Sequence, residues 1–486
     1  GEVYNRKPPL TNWVSAAAMQ ITGRMDEWTV RTPAVLMILA VGISLLLGLK
    51  GLLGIEQALA ASLMTLTSIG FIDKGRIIEI EALYISLFGI ALAAWLGLRW
   101  KGWELASWLV SGFALGLGFL AKGPLHVWYF YALVIGVLAA EKRLRDLLNW
   151  RHFAGLAVFF ATFLPWAMEN SRRNPLKDSA DVWKNQITHR LGFAEFDFIN
   201  YLLQVPESLK GFLPWALLLP LCWRKEVTAK WSEAGRRGQW MLGLRKALPW
   251  AFLVIALLPS SRPRFMLPLN VAAAIVVTDA LYRMSAEWLQ LWGRRWRITM
   301  AVLGTLALLV LIFGPWKMLS DLGNHQFEAT GWVFWLMAGW TIVSWLWRKR
   351  TPDTALTFAI TTGGMLAVAT GAFMFGVVPR LLPREKLRPF AAQIVAHTGP
   401  TAPIMLYKTD EHQWPFYLGM RCYEVAYLKE SPPAVEFPWV VTKKKIWDNK
   451  GQRKVLTKQL GTVVSEMPFQ DPVDRSEYVL VNFKKG

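Results

Sequence analysis

Five lysines and arginines lie at the ends of apolar stretches or in the polar segments between them, where they could bind an anionic substrate. They are Lys7, Lys122, Arg190, Arg262 and Arg264. Lys122 stands before a Gly-Pro turn, and the two later arginines flank Pro263. The planar fork of arginine suits a phosphate group, and lysine supplies a point charge. The alternative is that these are anchoring side chains which extend toward the polar headgroups.

Two carboxylates precede a long apolar segment. Glu79 and Glu81 stand directly before the run that starts at Ala82. A carboxylate is costly beside an apolar slab, which makes it a plausible base or metal ligand. The alternative is a pair of solvated loop acids. His189 reads as an ordinary polar loop residue.

The composition indicates the class of protein. Among 486 residues, 54% are hydrophobic, 13% aromatic and only 18% charged, with a mean hydropathy of +0.30. This excludes disordered and collagen-like chains, which are rich in polar residues or repeats. A polytopic α-helical membrane protein remains. The net charge of +20 is explained by cytoplasmic loops, which collect Lys and Arg, and it indicates no nucleic-acid partner.

The apolar pattern predicts about twelve membrane spans, at roughly 20 residues each. More basic residues fall on one set of loops, which is therefore predicted to be cytoplasmic. The prediction divides the chain into an outer juxtamembrane helix region over 1–32, a transmembrane domain over 33–379 and a soluble α/β domain over 380–486. The last region lies on the outer side, and a first span is expected before Gly1.

Smaller features complete this organisation. Gly112 and Gly116, four residues apart, predict a close helix contact. Cys222 and Cys422 form no metal pattern. Short apolar runs predict the strands of the outer domain: Ile404–Tyr407, Cys422–Leu428, Trp439–Thr442 and Tyr478–Phe483.

An ordered set of motifs resembles the GT-C glycosyltransferases of the aminoarabinose transferase and protein mannosyltransferase-like (PMT-like) class. The likeness covers nearly the whole chain, and the set is specific although each motif alone is not. The motifs are Tyr4-Asn5-Arg6-Lys7-Pro8-Pro9-Leu10, Gly75-Arg76 with Glu81-Ala82-Leu83, Lys122-Gly123-Pro124, Leu164-Pro165-Trp166, Arg190, Leu213-Pro214-Trp215 and Ser261-Arg262-Pro263-Arg264-Phe265.

The resemblance implies about thirteen spans with a periplasmic α/β domain, in the bacterial cytoplasmic (inner) membrane. It implies transfer of a sugar from a polyprenyl-phosphate donor to an acceptor such as lipid A, a glycan, a lipid or a protein. Donor binding is then expected from Tyr4, Lys7, Lys122, Arg190, Arg262 and Arg264.

The same resemblance bears on catalysis. It gives Glu81 and Glu79 as the visible catalytic carboxylates, with a principal Asp expected before Gly1. Arg6 stands where the family often has Glu, which argues against a divalent metal ligand at this place, so the cofactor stays unknown. Glu81 stands where the family often has Asp.

Two other functions fit the same pattern. A flippase or transporter of lipid-linked saccharides also needs basic residues on the outer side. A non-catalytic subunit of a membrane complex could keep the fold without the activity. The donor sugar, the acceptor and the oligomeric state are not given by the sequence.

Overall fold

The computed structural model describes residues 8–77, 79–173, 198–258, 261–313, 331–347, 354–372, 388–409, 414–419, 422–425, 438–470 and 477–484. The chain forms two compact units. The larger contains Glu2–Leu308 and Leu336–Ala369, and the smaller contains Leu309–Trp335 and Thr370–Gly486 together with Gly1. Tyr4, Lys7 and Arg190 lie outside the described residues.

The larger unit is helical. Its first helices are α1 (Leu10–Thr22), α2 (Glu27–Leu53), α3 (Ile55–Leu66), α4 (Ile69–Gly75), α5 (Ile80–Trp100), α6 (Glu104–Lys122), α7 (Leu125–Ala140) and α8 (Trp150–Arg173). Then follow α9 (Phe198–Lys210), α10 (Lys225–Glu233), α11 (Gly235–Ala256), α12 (Leu269–Tyr282), α13 (Ala286–Phe313), α14 (Gly331–Trp347) and α15 (Ala355–Ala372). Short 3-10 helices lie at Leu144–Leu148, Trp215–Trp223 and Pro263–Met266.

Long apolar helices make this chain a membrane protein. By length and composition α2, α5, α6 and α8 can cross a membrane, and α3 with α4 forms a pair bent by 64° that could be a fifth span. Shorter apolar helices are α7, α12 and the part Ala355–Gly371 of α15. The count of about twelve spans, the position of the C-terminal domain and the boundaries at 32 and 379 stay predictions.

The close helix contact predicted at Gly112 and Gly116 is confirmed. A Cβ atom on Gly112 would overlap the carbonyl oxygen of Gly155, and one on Gly116 would lie 2.9 Å from the carbonyl oxygen of Phe159. Both neighbours belong to α8. Glycine at these positions therefore sets the distance between α6 and α8, because no side chain fits between the two backbones.

Replacing Gly112 by alanine is expected to lower the stability of the chain by about 1–3 kcal/mol, because the added methyl group forces α6 and α8 apart. Thermal unfolding in detergent measures the change. Gly371→Ala is the matched control, since a Cβ atom there meets nothing within 4 Å and gains helix propensity. Equal melting temperatures for the two variants would contradict the close contact.

The smaller unit contains the predicted α/β fold. Its elements are α16 (Arg388–Thr398), β1 (Ile404–Tyr407), α17 (Trp414–Leu418), β2 (Cys422–Val425), β3 (Trp439–Lys443), α18 (Lys444–Trp447), α19 (Lys450–Leu460), β4 (Thr462–Gln470) and β5 (Glu477–Lys484). The strand order is β2-β1-β3-β5-β4. β1 is parallel to β2 and β3, whereas β5 pairs antiparallel with β3 and β4.

Each face of the sheet has its own apolar core. One face buries Ile404, Leu406 and Val441 against Phe390 of α16 and Trp414 of α17. The other buries Met405, Tyr407 and Val440 against Trp447 of α18 and Leu456 of α19. The alternation along β1 and β3 is that of strands covered by helices on both sides.

Candidate functional site

Glu81 and Lys122 are brought together by two consecutive helices. Glu81 lies in the first turn of α5, where a carboxylate is favoured by the helix dipole, and Lys122 ends α6, where a cation is favoured. Only residues 101–103 connect α5 to α6. Such a short connection makes the helices antiparallel neighbours, so the start of α5 lies beside the end of α6.

Arg264 joins the pair from a distant part of the chain, the 3-10 helix Pro263–Met266. Lys122 Nζ lies 2.9 Å and Arg264 Nε 3.3 Å from the same oxygen, Glu81 Oε1. The side chains of Glu81 and Lys122 are 6% and 10% exposed, whereas that of Arg264 is 41% exposed. We call these three residues the carboxylate–cation cluster. Arg264 is its accessible member.

Aromatic rings surround the lysine of the cluster. Lys122 Nζ lies 5.1 Å from the ring centre of Tyr84 and 4.9 Å from that of Phe265. Tyr84 lies one helical turn after Glu81, and its ring packs edge-on against His126 with centres 5.0 Å apart. These cation–π contacts hold the ammonium group in a fixed position without neutralising it.

His126 fixes the turn after Lys122. Its ring nitrogens Nδ1 and Nε2 lie 3.0 Å from the carbonyl oxygen of Gly123 and 2.8 Å from that of Leu115. Gly123 has φ 109°, a conformation that side-chain-bearing residues rarely adopt. Tyr84, Phe265 and His126 were missed in the sequence, although the last is an isolated polar residue at the start of an apolar run.

Glu79 has a different set of partners from Glu81. It precedes α5 in an extended conformation, and its Oε2 lies 2.8 Å from Lys74 Nζ. Lys74 also lies 3.0 Å from Asp73, which pairs with Arg76 at 3.0 Å. Glu79 therefore belongs to a partly exposed ion-pair chain at the end of α4. Two carboxylates that are neighbours in sequence thus lie in separate charge clusters.

The other predicted site residues contribute less to the described geometry. Arg262 is exposed just before the 3-10 helix. Lys7, Arg190 and Tyr4 lie outside the described residues, so their roles stay predictions. Within the described ranges no group of three or more His, Cys, Asp and Glu residues could hold a metal ion.

The carboxylate–cation cluster has the properties of an anion site. Two cations face one carboxylate oxygen, so these three side chains together carry a net positive charge, which attracts an anion. The residues are half enclosed by apolar helices, where charge–charge attraction is stronger than in water. A phosphate arriving from solvent would meet Arg264 first, because the other two side chains are nearly covered.

Comparison with known proteins shows first which family model part of the chain matches and which solved structures share its fold. Residues 6–168 match the family model "Dolichyl-phosphate-mannose-protein mannosyltransferase". The fold is that of two crystal structures of ArnT from Cupriavidus metallidurans. The one bound to undecaprenyl phosphate has a TM-score of 0.72 at 20% identity, over 99% of this chain and 89% of that chain. The apo structure has a TM-score of 0.71 at 19% identity, over 98% and 88%.

Individual relatives with similar sequences are named as arabinosyl transferases. "Undecaprenyl phosphate-alpha-4-amino-4-deoxy-L-arabinose arabinosyl transferase 2" of Pseudomonas fluorescens (strain Pf0-1) is 25% identical over 322 residues, 65% of this chain and 56% of that protein. The corresponding transferase of Edwardsiella ictaluri (strain 93-146) is 26% identical over 348 residues, 66% and 58%. The chain thus spans little more than half the length of these relatives. The predicted resemblance to this class is confirmed.

Proposed function

We propose that this chain transfers a sugar from a polyprenyl-phosphate donor to an acceptor on the outer face of the bacterial cytoplasmic membrane. The carboxylate–cation cluster at the end of apolar helices supports this most directly. The relatives named as undecaprenyl phosphate aminoarabinose transferases support the donor class. Lipid A, a glycan, a lipid or a protein could be the acceptor.

The length of α5 supports the position of the site at a membrane surface. Glu81 lies in the first turn of this helix and Arg99 lies near its end, about 27 Å away at 1.5 Å per residue. This is close to the thickness of the hydrocarbon core, about 30 Å. Arg99 is fully buried, with ion pairs to Asp146 and Glu141. Charged clusters thus mark both ends of α5.

The orientation follows from the loop charges. Arg143 and Arg145 lie in the connection between α7 and α8, and Arg151 lies in the first turn of α8, all at the Arg99 end of α5. Such basic segments face the cytoplasm. The carboxylate–cation cluster is then at the outer face. That residues 380–486 also lie outside the membrane on that side is our proposal from the sequence pattern alone.

The reaction we propose breaks the bond between the anomeric carbon and the donor phosphate. The phosphate oxygen leaves with the electron pair while an acceptor oxygen forms the new bond to that carbon, and a hydroxyl acceptor gives its proton to the departing phosphate. Negative charge grows on the departing phosphate, and Arg264 is placed to offset it with Lys122 behind it. Each charged hydrogen bond contributes about 2–3 kcal/mol in such a site.

Glu81 is better placed to orient than to deprotonate. Both cations of the cluster face one oxygen of Glu81. Their positive charge offsets the negative charge of the carboxylate, which therefore accepts a proton less readily. We infer that the carboxylate holds Lys122 and Arg264 in position and accepts a hydrogen bond from an acceptor hydroxyl. An acceptor that is already a phosphate anion needs no base at all.

An assay of polyprenyl phosphate tests the proposal. The full-length protein in nanodiscs is expected to release polyprenyl phosphate in equal amount to glycosylated acceptor, and Glu81→Gln is expected to reduce that release. A flippase or transporter would move the donor across vesicle membranes without releasing the carrier. A non-catalytic subunit would do neither. Either of those results would overturn the proposed function.

A further inference from the structure

The sheet of the smaller unit has a point where the strand order reverses. The chain passes from β1 to β2 on one side and then returns to β3 on the other side of β1. The helix after β1, α17, covers one face of the sheet, and α18 and α19 after β3 cover the opposite face. In open α/β sheets a crevice forms outside the carboxyl ends of such strands, and ligands bind there.

Polar side chains converge at the carboxyl ends of β1 and β3. Tyr407 and Thr442 are directly paired in the sheet register. Tyr407 Oη donates a hydrogen bond of 2.7 Å to Gln452 Oε1 of α19, and Lys408 Nζ donates to the same oxygen at 3.2 Å. We call Tyr407, Lys408, Thr442 and Gln452 the strand-end cluster. It lies entirely within the smaller unit.

Thr442 has an unused hydroxyl group. The residue is fully buried, and among the described residues its Oγ1 has no hydrogen-bond partner. Buried hydroxyl groups are nearly always paired, because an unpaired one loses its hydrogen bonds to water without replacement. A buried hydroxyl group without a partner among the described residues, at the carboxyl end of β3, is therefore a candidate ligand position.

Lys408 has a backbone conformation that lysine rarely adopts. Its φ is +50°, in the left-handed region that favours glycine. Such a conformation costs free energy, so it persists where the surrounding contacts hold the residue in place. The conformation turns the chain away from β1 and leaves the Lys408 ammonium group beside Gln452.

The surrounding charge favours an anion. Lys443, Lys444 and Lys445 follow at the end of β3. Lys444 Nζ lies 2.9 Å from Glu477, the acid that begins β5 at the same sheet edge. The hydrogen bond to Glu477 raises the pKa of Lys444, so this lysine stays charged at neutral pH.

We propose that the strand-end cluster is a second anion site, which binds a phosphate group between the ends of β1 and β3. The Lys408 ammonium group and the Thr442 hydroxyl group would contact the phosphate oxygens. Gln452 and Tyr407 would position the lysine. Phosphate fits better than a carboxylate, because its several oxygens can accept from donors on both strands at once. This site is independent of the proposed sugar transfer.

Hydrogen exchange with mass spectrometry on the full chain in detergent tests this site locally. Inorganic phosphate is expected to slow exchange in peptides that cover 404–409 and 439–445. Thr442→Val keeps the shape of the side chain, and it should weaken the phosphate dependence about tenfold. Vesicles with phosphatidic acid, against phosphatidylcholine alone, form a second arm. Protection by the vesicles alone assigns the site to a lipid headgroup, and protection by both probes assigns it to phosphate in general.

Glycine substitution separates a binding role from a structural one. Lys408→Gly relieves the backbone strain, so it should raise the melting temperature while phosphate protection falls at least about tenfold. Lys142 is the matched control, because it has φ +60° and lies in the larger unit. Lys142→Gly should likewise raise the melting temperature and leave protection unchanged. Absence of protection by both probes, or full protection in Lys408→Gly, would overturn the proposal.

Discussion

Replacing Arg264 by alanine is expected to reduce the rate of sugar transfer by about 10²–10³-fold, as for the loss of one preorganised donor to a charge that develops in the transition state. Arg264 is the accessible cation of the carboxylate–cation cluster, 41% exposed, while Lys122 is covered by Tyr84 and Phe265. The measurement is kcat/KM for the polyprenyl-phosphate donor, by release of polyprenyl phosphate. Arg264→Lys keeps the charge but loses the planar fork, so its kcat/KM should lie between that of the wild type and that of Arg264→Ala.

The control for this experiment is Arg24→Ala. The Arg24 side chain is 73% exposed and pairs with Asp26 in the turn between α1 and α2. Its loss removes an equal charge from the protein surface without touching the cluster, so transfer should stay within about twofold of the wild type, as expected for a surface pair. Wild-type kcat/KM in Arg264→Ala, with an unchanged melting temperature, would show that the phosphate binds elsewhere.

The sequence predicts the positions of Glu81 and Lys122 in the carboxylate–cation cluster better than that of Arg264. Glu81 and Lys122 could be placed at one membrane surface, because each stands at the end of an apolar run and a short turn joins the two runs. Their direct contact depends on side-chain packing, which no spacing reveals. Arg264 joins from a segment far along the chain. Only its position at a predicted outer turn indicated a partner.

The sequence pattern does not predict that Glu79 and Glu81 have different partners. The two residues are two positions apart, and the helix begins between them at Ile80. A residue just before a helix and one in its first turn point in different directions, so the carboxylates reach different cations. Fixing the first residue of a helix is the least reliable part of a sequence prediction. The sequence therefore predicts one pair of carboxylates with a common role, whereas the structure places Glu79 and Glu81 in separate charge clusters.

The strands of the C-terminal sheet also differ in how well the sequence predicts them. The predicted runs Ile404–Tyr407 and Trp439–Thr442 correspond to β1 and β3, which are central strands buried on both faces. β4 was missed because Ser465, Glu466 and Pro468 interrupt its apolar residues. It is an edge strand, where proline and polar residues are tolerated. The edge strand β2 was predicted, because the run that begins at Cys422 is apolar, so it is the interrupted pattern of β4 that hides it in the sequence.

Asp279 is the site of the second large effect that we expect, in this case on stability. It is a single acid in the apolar helix α12, and its side chain is fully buried. Its Oδ2 accepts hydrogen bonds from Trp231 Nε1 at 2.6 Å and from Arg283 Nε at 2.7 Å. Its Oδ1 accepts one from Arg237 Nε at 3.0 Å. The carboxylate thus joins α10, α11 and α12.

Asp279→Ala should destabilise the protein by about 3–5 kcal/mol, because two arginines and an indole N–H lose their buried acceptor. Unfolding in detergent, followed by melting temperature or by resistance to a denaturing detergent, measures this. The matched control is Glu226→Ala, which breaks the Lys230–Glu226 pair of α10, with side chains 43% and 34% exposed. Such a surface pair contributes about 0–1 kcal/mol. If both variants unfold alike, the buried carboxylate does not hold these helices together. Asp279→Asn keeps an acceptor oxygen but no charge, so its loss of stability should lie between those of Glu226→Ala and Asp279→Ala. This variant thereby separates the effect of hydrogen bonding from that of charge.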